Sequence, residues 1–222
     1  MEDVRKYHNL VKRQLIQSVT KSKASILDVG CGYGGDLQKW KHCQVSVIDM
    51  CDPNSQSLAD ASKRAITHEM KVNFFEGDIS ACPTKIYDVI CYNFSLHYIF
   101  QTKELFFKSI QGVRNRMKKG SFLIGCIPDS ESIIMMGQKF NDEFGNTMIR
   151  SDKTGYGQFG EKLFVQLVDT PFYKDGLKAE PIAYKDLLVT HLEEYGLRLI
   201  KWESLKNFKI SKLYSQFIFV CN

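Results

Sequence analysis

Apolar positions along the chain change period from one segment to the next. Val4, Tyr7, Val11, Leu15 and Val19 recur at steps of three and four residues, which places them on one stripe and predicts an amphipathic helix over 2–19. Beyond it, short apolar runs at 25–29, 45–48, 72–75, 87–92 and 122–127 read as strands. Between them, helical patterns run through Trp40 and over 55–69 and 104–117, with Gly120 as the stop of the last. Strands that alternate with helices fold as a parallel, doubly wound sheet covered on both faces, so the fold class is α/β. The rhythm breaks between about 128 and 181, where Gly, Asp, Phe and Tyr are frequent and 146–150 and 163–168 suggest hairpin strands. This stretch is too short for a core of its own and is expected to be an insertion over the strand ends, with Phe159, Phe164, Phe172 and Tyr173 packed inside it. A helix over 184–195 and strands at 197–202 and 216–221 close a single predicted domain of seven strands.

The loop after the first strand carries the chemistry. Gly30, Gly32 and Gly35 form G-x-G-x-x-G, which lets the backbone turn sharply and approach a ligand between a strand and a helix. Alone, that pattern fits a dinucleotide as well as S-adenosylmethionine. Asp49, about 20 residues on and read as the end of the second strand, suits the ribose hydroxyls of either. Asp28 and Asp78 separate the two. A carboxylate at Asp28 would repel a pyrophosphate but can engage the amino-acid end of a sulfonium ligand. Asp78, just past the third strand, can accept from an adenine amino group. The set Asp28, Asp49 and Asp78 therefore points to S-adenosylmethionine.

Composition narrows the setting. A hydrophobic content of 44% with five prolines argues against disorder, and no apolar run approaches the roughly 20 residues of a membrane helix. The seven cysteines form no C-x-x-C pair, so no metal site is expected and a reducing, cytoplasmic location is. The net charge of +5 suits a polyanionic substrate without requiring one.

Several segments resemble one family. The run from Asp28 through Gly-Gly-Asp to Lys39-Trp40 is similar to the cofactor motif of the eukaryotic and viral mRNA cap guanine-N7 methyltransferases. Asn93-Phe94-Ser95-Leu96-His97-Tyr98 resembles that family's Phe-x-x-His-Tyr segment, and Tyr7 to Lys12 its Asn-x-x-Lys helix. Phe144-Gly145-Asn146, the stretch from Glu180 to Tyr184, and Tyr214 to Phe219 follow in the family's order, so the likeness spans nearly the whole chain. Its compact style suggests the methyltransferase part of a large DNA virus capping enzyme.

The resemblance implies a class I (Rossmann-like) sheet, mostly parallel with an antiparallel last strand. It also implies roles by position. Lys12, Asp28, Gly30, Gly32, Asp49, Asp78, Asn93 and Tyr98 would bind the cofactor. His97, Glu180, Tyr184 and Tyr214 would form the guanine pocket, with His8 and Asn9 beside it. Lys39, Arg64 and Tyr33 would lie along the triphosphate of the 5′-capped RNA. Tyr33 stands where the family has a lysine, so a phosphate charge is missing there. His8 and Leu10 replace an asparagine and a tryptophan. Guanine N7 has a free lone pair, so no side chain is required as a general acid or base and alignment suffices. Residues 173–176 read Tyr-Lys-Asp-Gly rather than K-x-D-G, so guanylyl transfer and the other capping steps would fall to a partner or a longer chain. Two other readings remain: a small-molecule methyltransferase of the same fold, and a module that binds cofactor or capped RNA without turnover. Methyl transfer to GpppA-capped RNA but not to uncapped RNA separates them.

Overall fold

The computed structural model describes residues 4–151, 158–168, 170–206 and 209–222. Helix α1 (Val4–Val19) leads into β1 (Ser25–Val29), α2 (Leu37–His42), β2 (Val47–Asp52), α3 (Ser55–Thr67), β3 (Asn73–Glu76) and β4 (Tyr87–Asn93). Then come α4 (Lys103–Arg114), β5 (Met117–Pro128), α5 (Ser130–Met136) and the short strands β6 (Lys139–Asn141), β7 (Thr147–Arg150), β8 (Lys162–Gln166) and β9 (Lys178–Pro181). The chain closes with α6 (Lys185–Glu194), β10 (Leu197–Ser204) and β11 (Tyr214–Cys221). The first two residues assigned to the N-terminal helix, 2 and 3, lie outside the described residues.

The main sheet has seven strands in the order β10-β11-β5-β4-β1-β2-β3. Pairing is parallel from β5 to β3, and β11 is antiparallel to both β5 and β10. Ile26, Leu27, Ile90, Leu123 and Ile124 of its central strands are fully buried, as strands covered on both faces must be. The order reverses between β1 and β4, which opens a crevice at their carboxyl ends. One stripe of α1 closes part of that end: Val4, His8, Val11, Leu15 and Ile16 are buried, and the helix packs against β5 and α2.

Several boundaries differ from the sequence expectation. Strand β2 runs to Asp52 instead of stopping near residue 48, because buried partners satisfy the polar side chain of Asp49 within the sheet. Helix α4 ends at Arg114, three residues early, and Gly120 sits inside β5 with φ +84° rather than at a helix end.

The segment between β5 and α6 forms a second, four-stranded antiparallel sheet in the order β6-β7-β8-β9. Its inward residues Met148, Leu163 and Val165 are fully buried and belong to the same apolar cluster as Ile26 of β1 and Trp40 of α2. Three of the four aromatics assigned to a separate small core lie elsewhere. Phe159 packs on Phe100 and Phe106 of the main unit, Phe172 is exposed, and Tyr173 faces Glu180. Strand β9 lies against the 3₁₀ turn Leu96–Gln101 that follows β4, which brings Glu180 beside His97.

Candidate active site

A cavity of about 840 Å³ lies over the carboxyl ends of β1, β2, β3 and β4, bounded on its far side by α1, β11 and the second sheet. One end is built by the glycine loop. Gly30 has φ +72°, and a Cβ there would stand 2.3 Å from Ser95 Cβ, so only glycine fits. The Gly30 and Cys31 amides donate to the Cys51 carbonyl at 2.8 and 3.0 Å, which ties the loop to the end of β2. Asp52 completes that tie: its Oδ2 accepts from the Gly32 amide at 2.8 Å, and its carboxylate lines the cavity.

Asp49 is not in the cavity. It is fully buried in mid-β2, where Tyr87 Oη donates to it at 2.6 Å, Asn73 Nδ2 at 2.7 Å and Lys85 Nζ lies 2.8 Å away. Asp52, and not Asp49, is therefore the β2 acid that borders the cavity. Sequence reading missed it because Asp49-Met50-Cys51-Asp52 offers two acids, and only the strand's true end chooses between them. Asp78 does reach the cavity. It also N-caps the 3₁₀ turn Ile79–Ala81, accepting from the Ser80 amide at 2.8 Å.

Beneath the loop lies a buried charge cluster. Asp36 is 7% exposed, and Lys12 and Lys39 each place Nζ 2.7 Å from its Oδ1. Asn93 Nδ2 donates to its Oδ2 at 2.8 Å. Burial alone would raise the Asp36 carboxyl; the two ammonium groups overcome it and hold it below the usual carboxylate range. Asp28 is 2% exposed and accepts from Trp40 Nε1 at 2.9 Å. Burial, then the charge of Asp36, pushes it up to about 7. Lys39, assigned to the cap phosphates, is consumed here: it also donates to Asn9 Oδ1 and the Gly35 carbonyl, both at 2.9 Å, and is 5% exposed. Asp36 was overlooked because an Asp before a helix reads as a cap, yet it makes no capping hydrogen bond.

At the other end, His97 Nε2 lies 3.1 Å from Glu180 Oε2, and Tyr173 Oη donates to Glu180 Oε1 at 2.6 Å. Tyr98 lines the cavity beside them. Tyr214 is 1% exposed, its ring edge-on to His8 at 5.5 Å and to Phe94 at 5.6 Å. It lines the cavity while nearly all of its surface is covered. His8 stacks on Phe94 at 5.1 Å and shares a hydrogen bond of 2.9 Å with Ser211 Oγ. Burial, then the charge of Lys12, lowers its pKa to about 3, so it is neutral. Three cavity residues carry buried polar atoms with neither a hydrogen-bond nor an ion-pair partner: Asn93 Oδ1, His97 Nδ1 and Tyr214 Oη.

Arg5, Tyr33 and Arg64 line the cavity too, and both arginines are exposed. Tyr184 does not line it. Its hydroxyl donates to Glu161, because Tyr184 precedes α6 at the N-cap position and turns toward the second sheet. Tyr173 takes part instead, on a turn with no counterpart in the motifs read from the sequence.

Solved structures share this architecture. An S-adenosylmethionine-dependent methyltransferase from Clostridium acetobutylicum matches with a TM-score of 0.66 at 16% identity, covering 100% of this chain and 93% of its own. The CcbJ methyltransferase from Streptomyces caelestis matches with a TM-score of 0.71 at 12% identity, covering 97% and 96%. The fold is that of the class I methyltransferases.

Sequence relatives are closer in kind. The mRNA cap guanine-N(7) methyltransferase of Eremothecium gossypii is 31% identical over 63% of this chain and 36% of its own length. The enzyme of the same name from Saccharomyces cerevisiae is 26% identical over 95% of this chain and 54% of its own. The chain thus spans about half or less of the curated relatives it matches. The model of the mRNA (guanine-N(7))-methyltransferase domain matches residues 1–218, almost end to end, and to that family the chain belongs.

Proposed function

We propose that the protein transfers a methyl group from S-adenosylmethionine to N7 of the guanine at the 5′ end of capped RNA. The observation that carries this reading is a continuous cavity with two chemically distinct ends, acids and glycines at one and Glu180 with His97 at the other. Buried polar atoms lacking partners occur in residues at both ends. Buried groups of this kind are satisfied by a ligand or by water.

The residues present fit the cofactor. The backbone at Gly32 is open, with nothing within 4 Å of where a Cβ would stand, and Asn93 Oδ1 is an unused acceptor in the same cavity. Asp52 would accept from the ribose hydroxyls and Asp78 from the adenine amino group. Asp28 would face the cationic amino-acid end, and Lys12, with donors beyond its pair to Asp36, the carboxylate. When bound, S-adenosylmethionine supplies an electrophilic methyl carbon on a sulfonium.

Glu180 would accept from guanine N1–H and the 2-amino group, and its charge favours a base that becomes cationic on methylation. Tyr214 Oη and His97 Nδ1 supply further polar contacts. Holding N7 in line with the methyl carbon requires position and electrostatics, and no proton has to be removed. Arg5 and Arg64 at the rim suit the triphosphate. The steps that build the cap would be carried out by other activities, in a partner or elsewhere in a longer chain. Seven free thiols, five of them buried, agree with a reducing, cytoplasmic setting, and among the described residues no helix is long and apolar enough to cross a membrane.

Glu180→Ala tests the reading. Methylation of GpppA should be abolished while calorimetric affinity for S-adenosylhomocysteine stays nearly unchanged. Loss of cofactor binding in that variant would remove Glu180 from the guanine pocket.

A further inference from the structure

We infer that Tyr173 is a positioning residue that holds the Glu180 carboxylate at the angle needed to grip the guanine edge; the inference rests on the proposed reading of the cavity. Guanine presents N1–H and its 2-amino group side by side, and a carboxylate accepts both only when its plane is aligned with that edge. The terminal torsion of a glutamate is broad and does not fix such a plane by itself. Here each oxygen is engaged from a different element. Tyr173 Oη donates to Oε1 at 2.6 Å, and His97 Nε2 lies 3.1 Å from Oε2. A carboxylate has about four lone-pair sites, so acceptor capacity remains on both oxygens for a substrate.

The Tyr173 side is the better anchored. Its His97 counterpart lies within reach of Oε2 but does not form a well-aligned hydrogen bond, so the short bond to Tyr173 is the one that sets orientation. Tyr173 ends the 3₁₀ turn Pro171–Tyr173, where proline fixes the entry into the turn. Phe172 stands edge-on to its ring at 5.0 Å and 90°, and both line the cavity. Burial, then the charge of Glu180, raises the Tyr173 hydroxyl far above its ordinary range, so it is a permanent donor.

Tyr173→Phe keeps the ring and removes only the donor. Steady-state kinetics with GpppA and with IpppA, whose hypoxanthine lacks the 2-amino group, read the effect. The KM for GpppA should rise about tenfold with kcat within about twofold of wild type, because a polar contact to substrate is weakened. The preference for GpppA over IpppA should fall by a similar factor, since a misaligned carboxylate no longer rewards the second donor. Affinity for S-adenosylhomocysteine should not move, which shows that the variant is folded. An unchanged KM and preference, or an equal loss on both substrates, would overturn the role of Tyr173. Wild-type protein inactive on GpppA would instead overturn the proposed function itself.

Discussion

Asp49 and Asp52 are three residues apart and chemically identical, yet one belongs to the sheet and the other to the site. Asp49 is surrounded by Tyr87, Asn73 and Lys85, whereas Asp52 holds the Gly32 amide and borders the cavity. Their alanine variants should separate cleanly. Asp52→Ala should weaken S-adenosylhomocysteine binding by about 10–100-fold, the loss expected for a hydrogen bond to a charged group. Asp49→Ala should leave the affinity of the folded protein nearly intact and cost about 1–3 kcal/mol of stability, because it strands the buried Tyr87 hydroxyl. Calorimetry and thermal melting read the two effects. At this scale the glycines, Asp28 and Asp78 were legible in the sequence, because a tight turn and a strand-end acid leave local signatures. Asp36, Lys39 and Tyr184 were not, because their partners come from distant parts of the chain: Lys12 and Asn93 for Asp36, Asn9 for Lys39, Glu161 for Tyr184.

Among the elements, β4 and β5 control the geometry of the site. Their pairing sets Asn93 opposite Cys126, and the turn after Asn93 then delivers Phe94, Ser95 and His97 to the cavity. Gly125 makes that pairing possible: a Cβ there would lie 2.1 Å from the Tyr92 carbonyl oxygen and 2.8 Å from Phe217 Cζ. Gly125→Ala should therefore force β4 and β5 apart at a cost of about 3 kcal/mol, a fall in melting temperature of about 6–12 °C. A melting temperature equal to wild type would show that the strands adjust without strain. The alternation of strands and helices was readable because apolar period is a local property. Where β2 and α4 end was less so, since strand ends depend on neighbouring strands and on buried partners for polar residues such as Asp49.

Across the whole molecule, few cations are free to act at the cavity. Of the cations expected there, Lys39 is locked onto Asp36, and Lys12 shares the same acid. Arg5 and Arg64 remain at the rim, and Tyr33 adds none. Arg64→Ala should thus raise the KM for GpppA several-fold and reduce the slope of its logarithm against log salt by about one, with cofactor affinity retained. Lys39→Met should lower the melting temperature and leave that slope unaltered. A reversed pattern would return Lys39 to the phosphates.

The sequence by itself determined the α/β alternation, the glycine loop, two of the three acids it singled out, Asp28 and Asp78, and the order of motifs that marks the family. All of these depend on residue type and spacing along a short stretch of chain. Only the tertiary structure decided that Asp52 rather than Asp49 faces the cavity, that Lys39 is buried against Asp36, and that Tyr173 rather than Tyr184 meets Glu180. Those outcomes depend on which distant groups share a buried volume, because a buried charge or hydroxyl settles wherever its partner is.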